Sequence, residues 1–328
     1  MTFPISEHPS WDIKDSSKLT EFITCPRKYF YSYILGWRLD QPAHDLHFGE
    51  SWHKAREYQL LHGYDDIEGA YNAFTLCYRE KFDPSSDSIY TPKDPTAVLK
   101  ALMQYADERR GDLAEYEVLY TEISGTVPVD EKRVLSYRMD SVLRRKEDDM
   151  ILSMDHKSTK SFSRTWADQF DLSMQTGTYT HCLYCLYPID RVLGVLYDGC
   201  SFEYLKRGSG VRSAGYHINF KQVSAYKTAD QMNTWLWTVN DILDRLEMEM
   251  NRLFHCSDDD DVLQAFPMNP EACTKYWGCV FHDYCLAWQN PLRRCEEPPL
   301  GFKVEYWDPS KIDTTNKENL TWPKGSDC

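Results

Sequence analysis

Asp155 and Lys157 stand two apart in MILSMDHKS, a segment whose alternation reads as a β-strand. Both side chains therefore leave one face with Ile151 and Ser153, while Met150, Leu152 and Met154 take the other. The preceding VLSYRMDSVL reads as a second strand, joined to the first by the polar RRKEDD as a hairpin. A turn centred on Glu147 and Asp148 places Asp140 directly opposite Asp155; this turn has no Gly or Asn to fix it, and a longer loop would move the pair to a diagonal. Two carboxylates about 4.5 to 5.5 Å apart at their Cβ atoms repel unless a cation lies between them. A divalent ion on two carboxylates with an ammonium group beside it is equipment for phosphodiester hydrolysis. The metal polarises the phosphoryl group and acidifies a bound water, and the lysine stabilises or orients the attacking hydroxide. On the repulsion argument, Asp140→Ala should leave the fold intact. The same residues also suit a solvated hairpin flanked by opposite charges, and a bare D-x-K does not decide between the two.

Cysteines form the second group with chemistry. Cys273, Cys279 and Cys285 recur every six residues in ACTKYWGCVFHDYC, and Cys25 sits in TCPRK near the other end. Eleven cysteines, an odd number, suit metal, cluster or redox chemistry, or plain burial, better than a disulfide framework. Cys295 is a substitute for any of the four. Cys182 and Cys185 form a C-x2-C inside an aromatic helical pattern with no partner pair nearby, which reads as core packing. Cys77, Cys200, Cys256 and Cys328 carry no usable spacing.

These groups need elements to hold them. Ser16 and Ser17 read as the N-cap of a first helix with Leu19, Phe22 and Ile23 on one face, and Pro26 opens a second run through Tyr33 and Ile34. Further helices are predicted over about 49–61, 66–82 and 95–110. From Tyr116 the period changes to two, giving strands at EYEVLYTEI and along both arms of the hairpin. A long helical pattern follows from Ser161 to Tyr187, then strands at RVLGVLYD and YHINF. An amphipathic helix over 226–254 carries Met232, Trp235, Leu236, Val239, Leu243, Leu246, Met250 and Leu253 on one face. The reading is an α/β fold with a mixed central sheet flanked by helices. It comprises a helical N-terminal part (1–115), a core (116–225), a C-terminal helix with the cysteines (226–297) and a flexible tail (298–328).

His53 in FGESWHKARE, Glu122, Asp140, Asp155-His156-Lys157 and Gln175-x3-Tyr179, following SKLTEFITCPRKYFYSYILGW, together resemble the PD-(D/E)xK nuclease superfamily over about residues 16–290. The likeness is to its RecB-like branch, with the AddB nuclease domain, CRISPR-associated RecB-like exonucleases and phage exonucleases. The resemblance implies a restriction-endonuclease-like core in which His53, Asp140 and Asp155 bind Mg²⁺ or Mn²⁺, with the His156 carbonyl as a further oxygen. It makes Lys157 the catalytic lysine, puts Gln175 and Tyr179 on one helix face lining the site, and makes Glu122 an outer or second-metal carboxylate. It also implies a [4Fe–4S] cluster on Cys25, Cys273, Cys279 and Cys285, although the first C-terminal gap of five residues is wider than the two usual among those relatives. Zinc is the alternative occupant, since four thiolates serve either.

The expected activity is metal-dependent DNA cleavage, exonucleolytic on ends or single strands, in recombination, repair or phage DNA processing. No GxxxxGK[ST] is present, so any helicase function would come from a partner. Thirty-seven Lys and Arg against fifty-one Asp and Glu give a net charge of −14, which repels nucleic acid at long range. A DNA site must then be a local basic groove, for which Arg27, Lys28, Lys54, Arg56, Arg144 to Lys146, Lys160 and Arg164 are the candidates. Trp52 and Trp166 suit core packing better than base stacking. A non-catalytic DNA- or recombination-protein-binding module is the alternative, and a zinc-stabilised structural protein a third. With neither an apolar run of membrane-spanning length nor a signal-peptide pattern, the chain is expected in the cytoplasm, that of the host if phage-encoded.

Overall fold

The computed structural model describes residues 5–208, 214–275, 278–311 and 314–322. In chain order, α1 (Ser16–Thr24) and α2 (Pro26–Tyr29), which runs into a π-helical turn at Phe30–Ile34, precede β1 (Trp37–Leu39). Helices α3 (His44–His62), α4 (Ile67–Tyr78), α5 (Pro95–Arg109) and α6 (Asp112–Glu115) follow. Then come β2 (Tyr116–Pro128), β3 (Val134–Arg145), β4 (Ile151–Thr159), α7 (Asp168–Asp171), α8 (Met174–Leu186), β5 (Val192–Leu205) and β6 (Gly215–Ala225). The chain closes with α9 (Ala229–Leu253), α10 (His282–Ala287), β7 (Phe302–Val304) and β8 (Asn316–Lys317). It divides into two units. One comprises Met1–Gln41, Thr126–Tyr137 and Ala229–Asp313; the other comprises Pro42–Gly125, Arg138–Thr228 and Thr314–Cys328.

The second unit holds a six-stranded sheet in the order β6-β5-β4-β3-β2-β8. It is mixed: β3–β4 and β5–β6 run antiparallel, β4–β5 and β2–β8 parallel. The hairpin pairs Ser141 with Met154 and Arg144 with Ile151, the register that carries Asp140 to Asp155. Leu152 and Met154 pack with Leu143 and Leu196 on one side, while Ser153 and Asp155, on the other, are buried too. Strand β4 is therefore covered on both faces, not solvated on one. Helix α3 begins five residues before the predicted start, because His44 stacks on Tyr90 at 4.0 Å and its Nε2 meets the Tyr78 hydroxyl at 3.0 Å. It packs Phe48 and Trp52 edge-on against Phe202 of β5. The predicted helix over 161–187 is broken. Ser173 caps α8 by accepting from the Thr176 N–H at 3.1 Å, and upstream Trp166 folds onto β5 where a Cβ on Gly199 would meet its ring at 2.5 Å.

In the first unit Asp15, not Ser16, caps α1, accepting from the Lys18 N–H at 2.8 Å. Pro26 opens α2, where its missing N–H costs nothing. Tyr29 stacks on Phe266 at 6.0 Å, and Arg27 donates to the Phe266 carbonyl at 2.9 Å. Helix α9 buries Met232, Trp235, Val239, Leu243, Leu246 and Leu253 as its periodicity demands, and also Glu249, which accepts from the Phe266 N–H at 2.6 Å. Short helical turns at Pro270–Ala272, His282–Ala287 and Pro291–Arg294 lie within this unit, not in a separate segment. The stretch after Pro298, expected as a flexible tail, supplies β7, paired with β1, and β8, paired with β2. Cys328 and the rest of that stretch beyond Trp322 lie outside the described residues. Among the described residues, no helix is long and apolar enough to cross a membrane.

Candidate metal centre

Asp140 lies in β3 one residue before Ser141, which pairs with Met154 of β4, and both of its carboxylate oxygens are engaged. His53 Nδ1 from α3 lies 3.1 Å from Oδ1, and the His156 main-chain N–H of β4 donates to Oδ2 at 2.9 Å. Asp155 has Lys157 Nζ 2.7 Å from Oδ2 and the Gln175 amide 3.3 Å from Oδ1. Gln175 is an adaptor on α8. Its carbonyl accepts from Lys157 Nζ at 3.0 Å, its amide donates to the Tyr179 hydroxyl at 2.9 Å, and that hydroxyl donates to the Arg138 carbonyl. The structure thus brings His53, Asp140, Asp155, Lys157, Gln175 and Tyr179 together, all in the second unit.

Glu122 joins them from β2, its carboxylate close enough to His53 and Asp140 for the three to share one ion. It is a strand residue at φ 46°, a left-handed conformation that costs a non-glycine residue on the order of 1 kcal/mol or more and re-aims its side chain.

The carboxylates are not electrostatically equivalent. Burial would raise the Asp140 carboxyl, but His53, through charge and hydrogen bond, together with His156 and Lys157, holds it well below the usual range. Asp155 is pushed up by burial and by Asp140, which Lys157 and His53 only partly offset. Glu122 is pushed up in the same way, by burial and then by Asp140, against Arg138 and Lys54. The even repulsion expected between Asp140 and Asp155 is therefore corrected: Asp140 is the satisfied carboxylate, and Asp155 and Glu122 carry the strain. Glu122→Gln should raise the melting temperature of the metal-free protein, since the neutral amide removes a carboxylate disfavoured by burial and by Asp140. A melting temperature in EDTA that falls or stays put would count against this account.

Residues 16–285 match the PD-(D/E)XK nuclease superfamily. This chain belongs to that superfamily. Compared with curated proteins by sequence, it has no match. Eight chains of solved structure match; one, described as "Crystal structure of SSO0001", is 13% identical with a TM-score of 0.24 over 69% of this chain and 86% of that one. The donors gathered here are those of a metal-using enzyme of this superfamily's fold. Among the described residues, two groups place three ligand atoms within reach of one ion: His53, Glu122 and Asp140, and a second group of His47, Glu50 and Cys77.

Behind the superfamily's D-x-K strand lies a network the sequence reading passed over. His156 pairs in register with Asp198 of β5, and its Nδ1 donates to Asp198 Oδ2 at 3.1 Å. Tyr105 donates to the same oxygen at 2.9 Å, and the buried Arg56 guanidinium lies 3.8 Å from it, stacked 3.4 Å from the Tyr105 ring centroid. Burial keeps the His156 ring from charging. Asp198, despite its burial, is held ionised by His156, Arg56 and Tyr105. An acid in the middle of the apolar LGVLYDG strand was the available signal.

Arg56 is thus a core residue and no part of a basic groove. Of the other cations expected there, Lys28 pairs with Glu21, Lys54 with Glu57, Arg144 with Glu117, Arg145 with Asp148 and Lys160 with Asp45, and Lys146 donates to the Leu113 and Ala114 carbonyls. Arg27 is buried on main-chain carbonyls. Trp52 and Trp166 are packed in the core.

Proposed function

We propose that this superfamily member is a metal-dependent DNA exonuclease of the RecB-like branch, acting on ends or single strands in recombination, repair or phage DNA processing. The observation that carries the reading is Lys157 held between Asp155 and Gln175, at 2.7 and 3.0 Å, beside Asp140, Glu122 and His53. The donor set fits a hard divalent cation: carboxylate oxygens with one imidazole, two of the acids raised by burial and by the Asp140 charge, which a cation would offset. Asp140, Asp155 and His53 would hold Mg²⁺ or Mn²⁺, with Glu122 at the edge of the site. Bound there, the ion supplies Lewis-acid polarisation of the phosphoryl group and acidifies water. Asp140 is oriented for this by His53 and the His156 N–H. Lys157 steadies the attacking oxygen, and Gln175, anchored through Tyr179, keeps the ammonium group from collapsing onto Asp155 alone. Strand separation, where needed, would come from a helicase partner.

End-labelled single- and double-stranded DNA with Mn²⁺ against EDTA tests this. Metal-dependent loss of label is expected. A folded protein that binds DNA and releases no label would replace the reading with a binding module.

The same reading gives Cys25, Cys273, Cys279 and Cys285 of the first unit a structural [4Fe–4S] cluster. In its support, the Cys279 and Cys285 thiols each lie within electrostatic reach of Cys25 and Cys273. The Cys279 N–H donates to the Cys273 carbonyl at 3.0 Å, and the Asn269 N–H points at Cys25 Sγ at 3.4 Å. Among the described residues no three of these thiols come within 4.8 Å of one another; the cluster rests on the motif resemblance, with zinc as the alternative occupant. Cys279→Ser should bleach an anaerobically purified brown protein and lower its melting temperature by at least about 5 °C. An unchanged melting temperature would remove the clasp.

A further inference from the structure

We propose that His47, Glu50 and Cys77 form a second metal site, distinct from the nuclease centre, that takes zinc or a similar borderline-soft divalent ion and staples α3 to α4. The proposal does not rest on the nuclease reading.

His47 and Glu50 are three apart on α3 and so share a face; Cys77 comes from the last turn of α4. Their nitrogen, oxygen and sulfur atoms lie within 4.8 Å of one another. His47 is 3% exposed and its ring is oriented by Tyr78 and Phe82. Nε2 lies 2.9 Å from the Cys77 carbonyl, and Nδ1 lies 3.1 Å from Glu50 Oε2. A carbonyl only accepts, so Nε2 donates to it, and Nδ1 is left beside the carboxylate oxygen, where a metal ion would take the place of a proton. One nitrogen, one oxygen and one sulfur are thus already gathered within the span of a single ion's ligand shell. An imidazole whose far nitrogen donates to a main-chain carbonyl is the usual state of a metal-bound histidine.

The donors choose the metal. One thiolate, one imidazole and one carboxylate with a position left for water suit zinc, whereas Mg²⁺ and Mn²⁺ prefer an all-oxygen shell. Ser51 and Glu50 flank the Cys77 thiol, which burial keeps protonated. Binding therefore releases one proton to solvent as the sulfur–metal bond forms. Glu50, half exposed, leaves an entry path. His47 and His53 are six residues apart on α3, about 9 Å along its axis, too far for the roughly 4 Å of a shared two-metal catalytic centre. The role is a clamp: it ties the helix that supplies His53 to its neighbour.

The test is alkylation of the full-length, chelator-treated protein with iodoacetamide, read by mass spectrometry at the Cys77 peptide with and without equimolar Zn²⁺. Zinc should slow labelling of Cys77 by at least about tenfold, since the thiolate is the nucleophile and would be occupied, and leave Cys185 unchanged. Glu50→Gln and His47→Gln should each remove most of that protection. Equal labelling of Cys77 with and without zinc overturns the site, as does full protection persisting in Glu50→Gln, a partly exposed position whose substitution leaves the fold intact.

Discussion

Lys157→Ala is expected to cut metal-dependent cleavage of end-labelled DNA by about 10² to 10⁴-fold while leaving a folded protein that still binds Mn²⁺. The side chain is 30% exposed at the mouth of the site, so its loss opens no cavity in the core. The ammonium group spans Asp155 and Gln175, where it faces whatever reacts beside the carboxylates. Without it, Asp155 gains affinity for a cation, so metal binding should hold or tighten as turnover falls. That split separates a lysine acting in the reaction from one that merely balances charge. Lys157→Arg is a useful companion, since it restores charge without the compact geometry and should recover little. Cleavage at the wild-type rate by the alanine variant would dismiss the site.

Asp140→Ala and Asp155→Asn should both lose cleavage, by at least about a hundredfold, and should part company in stability. Asp140 is charged and satisfied by His53 and the His156 N–H. Removing it strands both donors, at a cost of roughly 2 to 3 kcal/mol in the metal-free protein. Asp155 is buried against its neighbour's charge and pushed up, so the neutral amide is expected to raise the melting temperature in EDTA. In saturating Mn²⁺ the gain should vanish, because the wild type then gains ligand binding that the variant lacks. Melting curves of the two variants with EDTA and with Mn²⁺ read the difference directly. Equal shifts in both variants would return the pair to simple mutual repulsion.

Much of this arrangement was legible before any coordinates. Alternation in VLSYRMDSVL and MILSMDHKS, with a polar stretch between, is enough to bring Asp140 to Asp155, because a one-residue slip would send Leu152 and Met154 out of their pocket. Gln175 and Tyr179 share a face by helical period alone. Illegible were features that depend on what lies across a gap in the sequence. Arg56 reads as a surface cation until Tyr105 and Asp198 surround it. Glu122 gives no sign in sequence of its left-handed backbone. The break of the helical pattern before Ser173 depends on Trp166 finding Gly199. Asp15, not Ser16, caps α1 because the backbone is extended at residue 15 and already helical at 16, which puts the Asp15 carboxylate on the Lys18 N–H.

The path of the chain between its two units bears on how the molecule is made. It passes from one unit to the other at 41/42, 125/126, 137/138, 228/229 and 313/314, so neither is a contiguous stretch that can be excised. Ser124 of β2 meets the Thr314 hydroxyl 190 positions later, and Arg27 reaches Phe266 across 239. Each such pairing must wait for a long loop to close. During synthesis α3 to α5 and the hairpin would stand with uncovered apolar faces until β5 and β6 emerge, and α1 and α2 until Phe266 does. Folding should therefore be slow and late, with partly built species exposed to aggregation and chaperone capture.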